Sequence, residues 1–353
     1  MPETALSRTK AFCEAYDLQV PILMAPMAGA CPVSLSVAVA NGGGMGACGC
    51  LLMQPEDITA WAQQMRARSN GAFQLNTWVP DPDPMRDPDH EADVRAFLGE
   101  WGPPVSPEDA EGALVDFTLQ CDAMLAAGPQ VISSIMGVFP APFVARMKEQ
   151  GVRWFATVTS VTEALEAEEA GADVIVAQGF EAGGHRGSFS PDDTSRSMVG
   201  LFSLLPGIAD AVDVPVVATG GIADARGIAA ALLLGASAVQ IGTGLLRTPE
   251  AGIASPWADA IGQTLPEDTM PTKAFSGRLG RSIRTAYAEA AEKGPAPAPY
   301  PIQRNITKAM RGAAKDIDSM QAWAGQSAKL ARTEPASKLV ASLWKDAQEL
   351  LPV

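Results

Sequence analysis

The stretch AQGFEAGGHRG, residues 177–187, gathers four glycines, Glu181, Arg186 and His185, one of only two histidines in the chain. Imidazole ordinarily titrates near neutrality, so His185 is a candidate to accept a proton from a substrate or, once protonated, to hold an anion. An isolated histidine is commonly structural. The other one, His90, sits in DPDHEAD, which reads as a solvated acidic loop, and this leaves His185 as the residue to which chemistry is assigned. Glu181 and Arg186 flank it, and both are read as scaffolding that orients the loop rather than as reacting groups.

Two further glycine-bearing stretches suggest anion binding. ATGGIADARG (218–227) carries Gly220 and Gly221 ahead of a helical pattern, and glycine lets backbone amides approach a ligand while a helix start offers free N–H groups and a positive dipole end. QIGTGLL (240–246) adds Gln240, Gly242 and Thr243 as a second set of donors. Turn-forming glycines would look the same one loop at a time. Gly44, Gly46 and Gly49 match G-x-G-x-x-G, but CLLMQPED after them does not read as the helix a dinucleotide site requires. Cys48 and Cys50 form C-x-C with no second pair, and five cysteines are an odd number; neither a disulfide framework nor a metal site is indicated.

The elements that must position these residues follow from apolar runs. ILMAPM, GGMGAC, FQLNTW, VISSIM, WFATV, DVIVAQ, PVVATG and AVQIGT make eight short strands, separated by helical segments such as PEDITAWAQQMRARS, APFVARMKEQG, SVTEALEAEEAGA and ADARGIAAALLLGA. Strands alternating with helices predict an α/β fold, a (β/α)8 TIM barrel. Its loops after the seventh and eighth strands are then the two anion-binding stretches, in the positions where such barrels commonly bind phosphate. Residues 79–130 are too long for a simple connection and read as a partly helical insertion after strand 3. The barrel is assigned to 1–250, and 251–353 to a C-terminal helical cap closing the active-site mouth. EKGPAPAPYP (292–301) reads as a stiff extended connector.

Composition narrows the partners. The 353 residues carry 40 acidic and 26 basic side chains, a formal charge of −14, which disfavours nucleic acid and anionic membranes. Residues 18–55 and 227–246 contain no charge, yet prolines and glycines break both as membrane helices. The N-terminus MPETALSRTK lacks the apolar centre of a signal peptide, so a cytoplasmic location is expected.

PILMAPMAGA, QLNTW, VAQGFEAGGHRG, VVATGGIADARG and AVQIGTGLL together resemble the successive signature segments of the nitronate monooxygenases, formerly 2-nitropropane dioxygenases, over roughly residues 20–335. YPIQRNITKAM and WAGQSAKLAR resemble the tail of the class I branch. The resemblance implies an FMN-containing barrel that oxidises alkyl nitronates, propionate 3-nitronate among the candidates, with O2 and without a nicotinamide cofactor. It also implies that Asn76, Gln178, Gly183, Gly220, Gly221, Gln240, Gly242 and Thr243 contact the flavin or its phosphate. Ala25 and Met27 would pack near the isoalloxazine ring, and His185 would face the substrate. No metal is implied, and the oligomeric state, monomer or homodimer, stays open. The flavin-dependent enoyl-acyl carrier protein reductases share much of the glycine pattern and form the alternative, as does a non-catalytic flavin-binding protein.

The sequence departs from that family at two pocket positions. Ile135 stands where class I members often have histidine and Arg304 where they often have tyrosine, while Lys308 keeps the family's lysine. If PIQRNITKAM is one helix, Arg304 and Lys308 share a face and make a positive, substrate-binding spot in an acidic protein. A solvated surface face is the alternative.

Overall fold

The computed structural model describes residues 4–192, 194 and 198–352. All eight expected strands form: β1 (Ile22–Met24), β2 (Gly46–Gly49), β3 (Phe73–Trp78), β4 (Val131–Ile135), β5 (Arg153–Val158), β6 (Val174–Gln178), β8 (Val216–Thr219) and β9 (Ala238–Ile241). They pair in parallel in the order β1-β9-β8-β6-β5-β4-β3-β2, and a bridge between Leu23 and Met45 joins the two ends into a barrel. The expected helices follow as Pro55–Arg68, Ala141–Glu149, Val161–Glu169 and Ala225–Leu233, the last two capped by the side chains of Ser160 and Asp224.

The inward-facing positions change character along the strands. Leu23, Met45, Val131, Phe155, Val176, Val217 and Ala238 fill the lower barrel, where Phe12 of the helix Ala5–Ala15 and Tyr16 just after it pack on Phe155. Outward-facing neighbours such as Ile175 and Ala177 instead join the apolar layer under the helices. Two residues beyond Phe155, Val176, Val217 and Ala238 stand Thr157, Gln178, Thr219 and Gln240, which point the same way because side chains repeat every second residue. With Asn76 they form a polar ring at the C-terminal mouth.

Above this ring the insertion and the tail form one structure. Val94 and Leu98 of the insertion helix Pro88–Leu98 share an apolar core with Phe275, Tyr287, Ile302 and Met310, almost two hundred residues later. Tyr287 is its hub, with its ring against Phe97, Trp101 and Phe275. The tail is not purely helical: β10 (Thr269–Thr272) and β11 (Gly280–Ile283) pair antiparallel, and β11 also pairs with the two-residue strand β7 (Gly184–His185). His185 therefore stands on a sheet edge rather than on a free loop. The last helix, Ala336–Gln348, leaves the mouth and packs against Ala225–Leu233 and Val33–Asn41, where a (β/α)8 barrel has its eighth helix.

Gly44, Gly46 and Gly49 precede and enter β2. A Cβ at each would meet backbone atoms of Ile22, Ser36 or Ala28 at 2.4–2.9 Å, so these glycines serve packing. All five cysteines are free thiols, and no helix among the described residues is long and apolar enough to cross a membrane.

Candidate active site

A cavity of about 410 Å³ opens between the polar ring and the tail. Its floor brings together Ala25 and Met27 after β1, Asn76, Gln178, Gly183, Gly220, Gly221, Gln240, Gly242 and Thr243. His185, Arg304 and Ile135 line it too.

Internal hydrogen bonds fix the floor. Asn76 donates through Nδ2 to Ser133, at 3.0 Å to both its carbonyl and its hydroxyl, and Thr219 Oγ1 donates to the Gln240 carbonyl at 2.9 Å. Gln178 donates to the His185 carbonyl (3.0 Å) and accepts from the Gly187 N–H (2.8 Å), so it braces the turn that carries His185. Arg186 is buried and ties that turn to the carbonyls of Gln178 and Thr159, while the Glu181 carboxylate accepts the Leu201 N–H at 2.9 Å and caps the helix Leu201–Ala209.

The glycines of the turn do different work. A Cβ on Gly183 would meet the Gly325 nitrogen at 2.4 Å, so this glycine admits the tail, which crosses here through Gln326 N–H to Glu181 C=O (2.9 Å) and Gly325 N–H to Thr243 Oγ1 (3.0 Å). Gly184, at φ 74°, and Gly29, at φ 82°, line the cavity with no atom within 4 Å of a Cβ position. Flat groups can lie against them.

These residues suit a planar aromatic cofactor with one anionic end. Gly220 (φ 103°) and Gly221 (φ 71°) hold backbone conformations that favour glycine, and their N–H groups find no acceptor within the chain among the described residues. The adjoining helix offers less than expected, because it begins at Ala225 and the Asp224 carboxylate takes the Gly227 N–H at 3.0 Å. The free N–H groups on this side of the cavity are therefore those of the loop rather than of a helix end.

Another part of the lining is cationic and aromatic. His185 Nε2 lies 2.7 Å from Ser276 Oγ, and Trp78 and Trp323 meet its ring edge-to-face at 4.7 and 5.0 Å between centroids. Burial, with Arg278, Arg304 and Arg311 nearby, pushes the His185 pKa down to about 3, so the ring is neutral at pH 7 instead of titrating near neutrality. Arg278 is ion-paired to Asp81 at 2.8 Å. Arg304 has no partner for its guanidinium in the chain among the described residues, and Arg311 bonds only neutral oxygens: Thr307 Oγ1, Gln321 Oε1 and the Arg304 carbonyl. Burial and the neighbouring Arg304 lower the Arg311 pKa to about 10.

Lys308 is exposed and outside the cavity lining. The expected single helix is broken at Thr307 into Ile302–Ile306 and Lys308–Ala313, with the Thr307 hydroxyl 2.7 Å from the Phe275 carbonyl. Lys308 points outside the cavity lining, and Arg311 is the second cation that lines it beside Arg304. Sequence reasoning passed over Arg311, Ser276, Trp78 and Trp323. A usable signal for the tail residues was WAGQS itself, which has glycine and small polar residues but no helical period.

A barrel with a polar ring, free loop amides and a histidine under a cationic cap defines a small-molecule enzyme of the α/β barrel class. Residues 10–346 match the nitronate monooxygenase family, and the chain belongs to it. It is 34% identical over 345 residues to a probable nitronate monooxygenase of Staphylococcus aureus (strain MSSA476), covering 96% of this chain and 97% of that one. The solved structure of nitroalkane oxidase from Streptomyces ansochromogenes superposes with a TM-score of 0.86 at 33% identity, covering 96% and 99% of the two chains. FabK from Thermotoga maritima is similar at a TM-score of 0.76 and 26% identity, with 96% of each chain covered. The family is generally flavin-dependent, and its substrates are small nitronates.

Proposed function

We propose that this oxidoreductase binds FMN on the cavity floor and oxidises nitronates with O2, preferring nitronates that carry a carboxylate. The observation that supports it most is the unpaired Arg304 guanidinium beside Arg311 and His185, in a cavity that free loop amides also line. When bound, the flavin supplies the electron chemistry and the reaction with O2. The floor would hold it through the polar ring, with its phosphate at Gly220 and Gly221.

The chain's own part is binding and proton handling. Arg304 would hold the substrate carboxylate through a charge-assisted fork, and Arg311 adds positive potential. The nitronate group then lies by His185, whose aromatic and cationic surroundings keep it neutral until an anion offsets the arginines. His185 accepts the α-proton when a neutral nitroalkane is the substrate, or hydrogen-bonds the nitronate.

The test is oxygen consumption by the FMN-loaded protein with plain and carboxylated nitronates, with and without NADH, together with mass spectrometry of the flavin released on denaturation. Nitronate-dependent uptake independent of NADH, fastest with a carboxylated substrate, and released FMN are expected. NADH oxidation without nitronate supports the nicotinamide-using alternative. Released FAD, or no uptake with any nitronate, rejects the proposal.

A further inference from the structure

We infer that Ser276 is a positioning residue that holds His185 as the Nε2–H tautomer and so turns the Nδ1 lone pair toward the cavity. Ser276 is only 1% exposed and lies between β10 and β11. Its Oγ is 2.7 Å from His185 Nε2 and 3.2 Å from the Arg278 carbonyl oxygen. A hydroxyl has one proton to give, and a carbonyl can only accept. If that proton pointed at Nε2, an Oγ lone pair would face the carbonyl oxygen with nothing between them. If it points at the carbonyl, Oγ accepts from Nε2–H and both contacts are satisfied. The hydrogen bond at one ring nitrogen thereby decides the state of the other.

A second observation agrees. Nδ1 has no partner among the described residues, yet it is not among the buried unpartnered atoms, so it has open surface, and His185 lines the cavity. The cations that share this lining are Arg304 and Arg311, which favour a lone pair over an N–H on the side they face. Trp78 and Trp323 both pack edge-to-face with the ring.

The consequence rests on the proposed proton-accepting role of His185. A neutral nitroalkane loses its α-proton to Nδ1: the C–H bond breaks, its electron pair becomes part of the nitronate, and an N–H bond forms on a ring already protonated at Nε2. The imidazolium so formed still donates to Ser276, so no rotation of either side chain is required. A preformed nitronate skips this step.

Two histidines in the chain make the test simple, because ¹⁵N NMR of the FMN-loaded protein shows two imidazoles and a His185→Asn variant identifies which is which. Wild type is expected to show a protonated Nε2 and an unprotonated Nδ1 at neutral pH. Ser276→Ala should mix the tautomers and lower kcat/KM for a neutral nitroalkane about tenfold more than for the corresponding nitronate, the worth of about one hydrogen bond, and Ser276→Thr should restore both. A protonated Nδ1 in wild type, or an unchanged spectrum in Ser276→Ala, overturns the inference, and the wild-type spectrum decides even if the alanine variant does not fold. The expected spectra with equal losses on the two substrates uphold the tautomer and remove the base role from His185.

Discussion

The barrel and the structure above its mouth are built on different principles. The barrel's strands pair mostly with neighbours in the chain, and its inner and outer apolar layers separate by the two-residue period of each strand. The capping structure joins residues 88–111 to residues 270–323 around Tyr287, through short helices and a small antiparallel sheet that come from distant parts of the chain. The difference divides the labour of the site. The barrel supplies a floor of amides and neutral side chains that suits a cofactor, while the cap adds Arg304, Arg311 and Trp323 to the lining above it.

Truncating the two cores tests that division at the largest scale. Phe155→Ala in the barrel and Tyr287→Ala in the cap each remove a fully buried ring and are expected to cost about 3–5 kcal/mol. Hydrogen exchange should separate them: Tyr287→Ala should speed exchange at β10, β11 and Ile302–Ile306 and spare the barrel strands, whereas Phe155→Ala should speed both. Equal acceleration everywhere in the Tyr287 variant would mean a single cooperative unit.

The pH dependence of stability probes the wall alone. His185 in the folded chain is held near pKa 3, below the ordinary 6.5, so below pH 6.5 the unfolded chain takes a proton that the folded one refuses. Stability is thus lost as pH falls from about 6.5 toward 3, by about 2 kcal/mol between pH 7 and 5 for this one group. Urea unfolding of the flavin-free chain at the two pH values should show that loss in wild type and its absence in His185→Asn. An identical pH dependence in both would show that the wall does not suppress the imidazolium.

The smallest effects separate the two expected cations. Arg304→Ala should reduce the preference for a carboxylated over a plain nitronate by about 1–3 kcal/mol in kcat/KM, as for a charged hydrogen bond. Lys308→Ala, on the exposed side of the broken helix, should change it by less than about 0.5 kcal/mol. Comparable losses in both would place Lys308 at the substrate after all.

The sequence by itself determined the barrel and the floor. Eight apolar runs with intervening caps were enough for the strands, because a parallel sheet covered on both sides writes itself as uninterrupted apolar residues. Of the polar ring, Gln240 was legible from its place at the end of the eighth strand, whereas Asn76 and Gln178 were named through the family resemblance. The wall was a tertiary decision. Lys308 lies exposed outside the cavity, and Arg311, which the sequence reading passed over, lines it with Arg304. The histidine's pKa and its hydrogen bond to Ser276, 91 positions away, arise only when the tail crosses the mouth. The glycines of residues 177–187 show both limits at once: their spacing announced a close approach, but only the fold shows that Gly183 admits Gly325 while Gly184 keeps space beside the cavity. Local periodicity records which face of an element is buried. It carries no record of which distant segment buries it, and the charge and tautomer of His185 depend on that segment.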